Sequence, residues 1–149
     1  MYDLEILVKQ TEDAKDLAVP DYASAHASGF DLYANVTEDI VLGVGKRMKI
    51  KTGICVEIPN GYEIEIRPRS GNADRYGVTV LNSPGTIDSD YRGELEVLLI
   101  NLGEEPFVIK RGARIAQAVV SKIEKAKLTV KDALSDTCRG AGGFGSTGM

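Results

Sequence analysis

Pro59-Asn60-Gly61-Tyr62-Glu63-Ile64-Glu65-Ile66-Arg67 is the stretch from which the fold is read. Tyr62, Ile64 and Ile66 alternate with Glu63, Glu65 and Arg67, the two-residue period of a strand with one apolar face. Asn60-Gly61 in front of it is a hairpin signal, and residues 49–58 are expected to be the partner strand. Working outward, Leu95, Val97 and Leu99 alternate with Glu94 and Glu96 in a second clear strand. Residues 101–106 then turn the chain into Phe107-Val108-Ile109, and Ile115, Ala118, Val119 and Val120 belong to a further strand. Helix signals are weak: residues 71–76 and 130–134 each predict about one turn. Many short strands punctuated by Gly, Asn and Pro predict an all-β domain, a sandwich, barrel or jelly roll. No linker, internal repeat or heptad pattern interrupts it.

The bulk numbers fit this reading. The 149 residues suffice for one domain and one core. Apolar residues at 43% and charged residues at 27% are those of a globular chain rather than a disordered one. Lys and Arg number 18 against 22 Asp and Glu, a formal net charge of −4. Long nucleic acid is therefore excluded as a partner, whereas a small anion held by a local Arg cluster is not. Two cysteines, Cys55 and Cys138, do not make a disulfide framework and are expected to be reduced thiols. His26 is the single histidine, which excludes a His-based triad and a multi-His zinc site. Asp3, Glu5 and Lys9 break any signal-peptide core, and no apolar run approaches the roughly 20 residues that span a bilayer. A cytoplasmic protein with no membrane partner is expected.

Five polar, Gly-rich stretches exceed what a β domain needs for turns. Residues 27–34 hold Asp31 between apolar neighbours, which alone reads as a turn carboxylate. Arg67-Pro68-Arg69-Ser70-Gly71-Asn72-Ala73 supplies guanidinium forks, a hydroxyl and an unobstructed backbone N–H. It reads equally as a phosphate cradle and as a helix cap after a strand. Residues 82–94 carry Asp88 and Asp90 in a loop that Gly85 and Gly93 let bend. Such a loop suits water activation or a metal, or is simply a polar hairpin. Asn82 there offers an amide that both donates and accepts, as reading a base edge requires. Residues 111–117 turn into a strand that carries Arg114 and Gln117, and a salt bridge is the expected role of Arg114. Residues 139–148 set Arg139 and Phe144 among glycines with Ser146 and Thr147 behind them. This is the composition of a disordered end, and also that of a lid whose ring stacks on a flat ligand. No Lys follows the glycines, so it is not a P-loop.

In this order, the five stretches resemble the five motifs of the homotrimeric dUTPase family, over residues 27–148. The resemblance implies a β-clip, a distorted jelly roll with at most one or two short helices. It implies a β domain over residues 1–138 and a Gly-rich flap over residues 139–149. Three subunits would share three active sites and hydrolyse dUTP to dUMP and pyrophosphate, with Mg2+ bound by the triphosphate and Asp31 holding one of the ion's waters. Asp88 matches the carboxylate that activates water at the α-phosphorus, and Ser70 lies near the scissile bridge. Tyr91 matches the residue packed on deoxyribose. Asn82, with the main chain near Thr86 and Glu96, would read uracil within the hairpin that contains Gly85 and Ile87. Arg69, Ser70, Gly71 and Gln117 would hold phosphates, and Arg139 the γ-phosphate. Phe144 would cover uracil beside Gly145, with Ser146 and Thr147 adding phosphate contacts. The sequence departs from the usual motifs at Asn72, where Leu is commoner, and at Ala113. The rival on this fold is a dCTP deaminase, which would release ammonia rather than pyrophosphate; the rival of another class is a catalytically idle nucleotide sensor.

Overall fold

A computed structural model describes residues 4–146. Its strands are β1 (Leu7–Gln10), β2 (Gly29–Tyr33), β3 (Ile40–Leu42), β4 (Arg47–Glu57), β5 (Tyr62–Arg67), β6 (Val78–Val80), β7 (Gly85–Ile87), β8 (Glu94–Asn101), β9 (Phe107–Ile109) and β10 (Arg114–Lys122). One α-helix, α1 (Ser70–Tyr76), and one 3-10 turn at Glu12–Ala14 complete the regular elements. All pairings are antiparallel, in two four-stranded sheets ordered β1-β4-β8-β6 and β2-β10-β5-β7 and a two-stranded ribbon of β3 and β9.

One core joins the sheets. Leu95, Val97 and Leu99 from β8 and Ile64 and Ile66 from β5 are all buried in it, as the period-two pattern requires. Each such side chain contributes roughly 1.5–3 kcal/mol by leaving water. Asn101 is also fully buried, at 0% exposure. Its amide donates to the carbonyls of Leu42 and Glu105 at 2.9 and 2.8 Å and accepts from the Gly103 N–H at 2.9 Å. A buried polar side chain is tolerable only when satisfied in this way, and here it ties β3 and the 101–107 turn to the end of β8.

The opening stretch forms its strand, but not its hairpin. β4 pairs with β1 and β8, whereas β5 pairs with β7 and β10. The tight Asn-Gly hairpin needs positive φ at both central residues. Gly61 has φ 89°, but Asn60 is not in that region. The Tyr62 N–H still donates to the Pro59 carbonyl at 3.2 Å, so a turn closes, yet it leads from one sheet to the other. Ile58 before it and Ile64 after it are both buried in the shared core, which a direct hairpin would not require.

α1 matches the expected turn at 71–76. It ends at Gly77, whose φ of 64° provides the left-handed cap and whose N–H returns to the Ala73 and Asn72 carbonyls. The expected turn at 130–134 does not form, and among the described residues no strand or helix follows Lys122. Leu128, Val130 and Leu134 are 92%, 96% and 88% exposed, so among the described residues this segment has no apolar surface to fold against.

Candidate active site

Residues 81–93 build one wall of a cleft of about 310 Å³. It is lined by Lys49, Asn82, Thr86, Ile87, Asp88, Tyr91, Glu96 and Leu98. The sheet register explains why. β7 lies against β5, with Gly85 opposite Ile66 and Ile87 opposite Ile64. A methyl on Gly85 would lie 3.2 Å from Ile66 Cβ and 3.3 Å from Asn82 Nδ2, so a glycine lets Asn82 fold over the strand. Thr86 pairs with Glu65 on the outward row and is exposed, while Ile87 turns toward the core.

The floor of the cleft comes from β8. β6 pairs with β8 from Leu99 to Asn101, and the Leu81 N–H donates to the Leu98 carbonyl at 2.9 Å. Glu96 shares the strand parity of Leu98, so its N–H and C=O point to the same edge, beyond the point where β6 has ended. That leaves a main-chain donor and acceptor open to the cleft beside the Asn82 amide. The Glu96 carboxylate is occupied by Lys49 Nζ at 3.0 Å.

Asp88 is exposed at the rim, and its carbonyl accepts the Tyr91 N–H at 3.1 Å. Its carboxylate makes no hydrogen bond or ion pair among the described residues. The Tyr91 hydroxyl donates to the Glu94 carbonyl at 3.0 Å. Asp88 also borders a larger cleft of about 850 Å³ with Glu5, Glu57, Asp90, Arg92 and Lys125. That cleft is also lined by Asn60, but it lacks Asn82, Thr86, Tyr91 and Glu96.

A second cluster lies on β2, β10 and the end of β5. Asp31, Gln117 and Arg67 form one cross-strand row, and Arg69 follows two residues on. Arg69 Nε donates to Asp31 Oδ1 at 2.8 Å, and Arg114 Nη1 reaches Asp31 Oδ2 at 3.5 Å. Arg114 therefore has the salt-bridge role expected of it, although its side chain is half exposed. Gln117 Nε2 donates to the Pro68 carbonyl at 3.0 Å, bracing the approach to Arg69. Ser70 and Gly71 open α1 and are exposed; the cap position is Arg69, not Ser70. Asn72, the departure from the motif, donates to the Arg114 carbonyl at 3.2 Å and pins α1 to β10.

None of Arg69, Ser70, Gly71 or Gln117 lines the 310 Å³ cleft, and no hydrogen bond or ion pair among the described residues joins the two clusters. The tail stands apart from both. Arg139 Nε donates to the Gly142 carbonyl at 2.9 Å, and the Ser146 N–H to the Gly143 carbonyl at 3.1 Å. Phe144 is fully exposed, with φ 48° followed by 87° at Gly145. A left-handed phenylalanine costs roughly 1–2 kcal/mol, and among the described residues nothing packs on its ring. Thr147 lies outside the described residues.

Among the described residues, no three His, Cys, Asp or Glu side chains converge to cage a metal. One carboxylate, Asp31, stands among guanidiniums. That donor set fits a hard cation carried by phosphates and reached through water, not one held directly. Cys55 and Cys138 are both free.

Sequence reasoning missed Lys49, because the cleft draws it from β4, far from the motifs. It also missed the work of Arg111. Its guanidinium donates to both Asp16 oxygens at 3.0 and 2.5 Å, to Asn35 Oδ1 at 2.7 Å and to the Val36 and Asp13 carbonyls. Hydrogen bonds from Thr11 and then Asn35 hold the Asp13 carboxyl below its usual range, and the Arg111 hydrogen bond does the same for Asp16.

The fold and cleft define a two-sheet β protein with an amide, open main-chain edges and a carboxylate gathered at one sheet rim. The sequence model of the dUTPase family matches residues 15–148, and the chain belongs to that family. It is 53% identical over 142 residues to a deoxyuridine 5'-triphosphate nucleotidohydrolase from Thermoanaerobacter sp. (strain X514), covering 95% of this chain and 96% of that one. It is 57% identical over 139 residues to one from Brucella melitensis biotype 2, covering 92% and 88%. Among solved structures it is similar to a Staphylococcus bacteriophage 80alpha dUTPase with dUpNHpp, with TM-score 0.87 and 26% identity, covering 97% and 99%.

Proposed function

We propose that this protein hydrolyses dUTP to dUMP and pyrophosphate, removing dUTP and supplying dUMP. The observation that carries the reading is the 310 Å³ cleft, in which Asn82 and the open main chain of Glu96 face Tyr91 and Asp88. Uracil's edge presents a donor flanked by acceptors, which an amide and a strand edge complement. Tyr91 packs against deoxyribose and leaves no room for a 2′-hydroxyl. The Asp88 carboxylate takes a proton from water as the water oxygen bonds to the α-phosphorus. The bond from that phosphorus to the α,β-bridging oxygen breaks, and pyrophosphate leaves. Ser70 sits near that bridge, while Arg69, Gly71 and Gln117 hold the phosphates by charge and hydrogen bonds. Mg2+ would supply charge neutralisation on the triphosphate, and Asp31 is the residue that would hold it, through water.

The working unit of this reading is a homotrimer with shared sites. Its support is that the base-reading cleft, the Arg69–Gln117 cluster and the tail carry complementary groups that no hydrogen bond or ion pair among the described residues unites. The apolar segment at Leu128, Val130 and Leu134, bare in one chain, supplies surface for a neighbouring copy. Residues 139–149 then close as a flap: Arg139 meets the γ-phosphate, Phe144 covers uracil beside Gly145, and Ser146 and Thr147 contact phosphates. Free cysteines suit a cytoplasmic setting, and no helix of the described residues is long and apolar enough to cross a membrane. Pyrophosphate release from dUTP, dTTP, dCTP and UTP side by side tests the proposal. Release from dUTP alone is expected; ammonia from dCTP, or binding without turnover, would overturn it.

A further inference from the structure

Gly93 is a glycine for an unusual reason. Its backbone is not in the left-handed region, so an alanine there meets no conformational obstacle. What excludes a side chain is Tyr91. A methyl on Gly93 would lie 2.6 Å from Tyr91 Cζ and 3.0 Å from Cε2, and closer still to the hydroxyl oxygen. Non-bonded carbons rest at about 3.5–4.0 Å. The ring folds back over the bare Cα of Gly93, and the Tyr91 hydroxyl locks it there by donating to the Glu94 carbonyl at 3.0 Å. Tyr91 as a whole is 44% exposed and lines the cleft with Asn82, Thr86 and Glu96.

We propose that Gly93 is a specificity-determining residue that acts by seating the Tyr91 ring, and so sets how closely the cleft fits a sugar lacking a 2′-hydroxyl. Any side chain at position 93 lifts the ring off its seat and breaks its bond to Glu94. The ring must then swing along the cleft wall, and the wall that excludes a ribose is displaced. This rests on the reading of Tyr91 as the residue that packs on deoxyribose.

The test is a cycle of four proteins: wild type, Gly93→Ala, Tyr91→Ala and the double variant. Melting temperature and kcat/KM for dUTP and UTP are measured on each. The displaced atoms are the far end of a half-exposed side chain, so Gly93→Ala should fold, and its preference for dUTP over UTP is expected to fall about tenfold. In the Tyr91→Ala background the same change should alter neither the preference nor the melting temperature, because the obstructing ring is gone. Wild-type preference in a folded Gly93→Ala protein, or an equal loss in both backgrounds, overturns the proposal. If Gly93→Ala fails to fold, rescue by Tyr91→Ala supports it and failure in both backgrounds overturns it. If the wild type turns over neither nucleotide, the dUTP reading fails separately, and the melting cycle alone decides whether Gly93 seats Tyr91.

Discussion

Asp88→Asn separates chemistry from architecture. The carboxylate is exposed and makes no hydrogen bond or ion pair among the described residues, so its replacement by an isosteric amide removes no structural interaction. The turn beneath it is held by the Asp88 carbonyl and the Tyr91 N–H at 3.1 Å, which the substitution leaves in place. Stability should therefore stay within about 0.5 kcal/mol of wild type, the usual range for such surface changes. The groups expected to bind the base and sugar, Asn82, Glu96 and Tyr91, are untouched, so dUTP affinity should hardly move. What is lost is a positioned proton acceptor, ordinarily worth about 10²–10⁴-fold in rate. The assay is single-turnover hydrolysis of dUTP, paired with calorimetric binding and a melting curve. A hundredfold or greater loss of rate with binding and melting preserved is expected. Turnover near the wild-type rate would refute Asp88 as the base, and loss of melting temperature would refute the structural argument.

Two further predictions concern the tail and the acid side. Deleting residues 139–149 removes a segment whose hydrogen bonds, among the described residues, are all local, so melting should be unchanged while kcat/KM for dUTP falls at least tenfold. Unfolding on truncation would show instead that the segment is structural. Asp13 and Asp16 have carboxyls held below their usual range, so they stabilise the fold above the ordinary value of about 4, and that stability is lost as pH falls through their lower folded values. Urea midpoints should be flat from neutrality to about pH 5 and drop below about pH 4. Arg111→Ala should flatten the drop by removing the partner that lowers Asp16. An unchanged acid profile in that variant would contradict the assignment.

Strands were legible because one face of each meets a core, and that demand writes itself into alternate residues: Ile64 and Ile66 in β5, Leu95, Val97 and Leu99 in β8. Which strand pairs with which was not legible. Asn60-Gly61 names a turn, but the choice between a hairpin and a crossing to the other sheet was settled by φ at Asn60 and by the burial of Ile58, neither of which is local sequence information. Two equally weak helix signals parted: the turn expected at 71–76 formed as Ser70–Tyr76, stopped by Gly77, whereas 130–134 found no partner surface among the described residues and formed no helix. The motif residues in the 82–96 stretch were brought together because two neighbouring elements, β7 and β8, carry them. Arg111 joins partners 95 and 98 residues away, Asp16 and Asp13, and no periodicity reports a bond over that span. Gly93 read as a flexible turn residue, whereas its lack of a side chain, and not its freedom, is what the Tyr91 ring uses.

The central claim is that water, deprotonated at Asp88, attacks the α-phosphorus of dUTP in the cleft of Asn82, Glu96 and Tyr91. Hydrolysis of dUTP in heavy-oxygen water, with mass spectrometry of both products, tests it most directly. Solvent oxygen is expected in dUMP and none in the pyrophosphate. Label in the pyrophosphate would place the attack on the β-phosphorus and contradict the account, as would the absence of any hydrolysis.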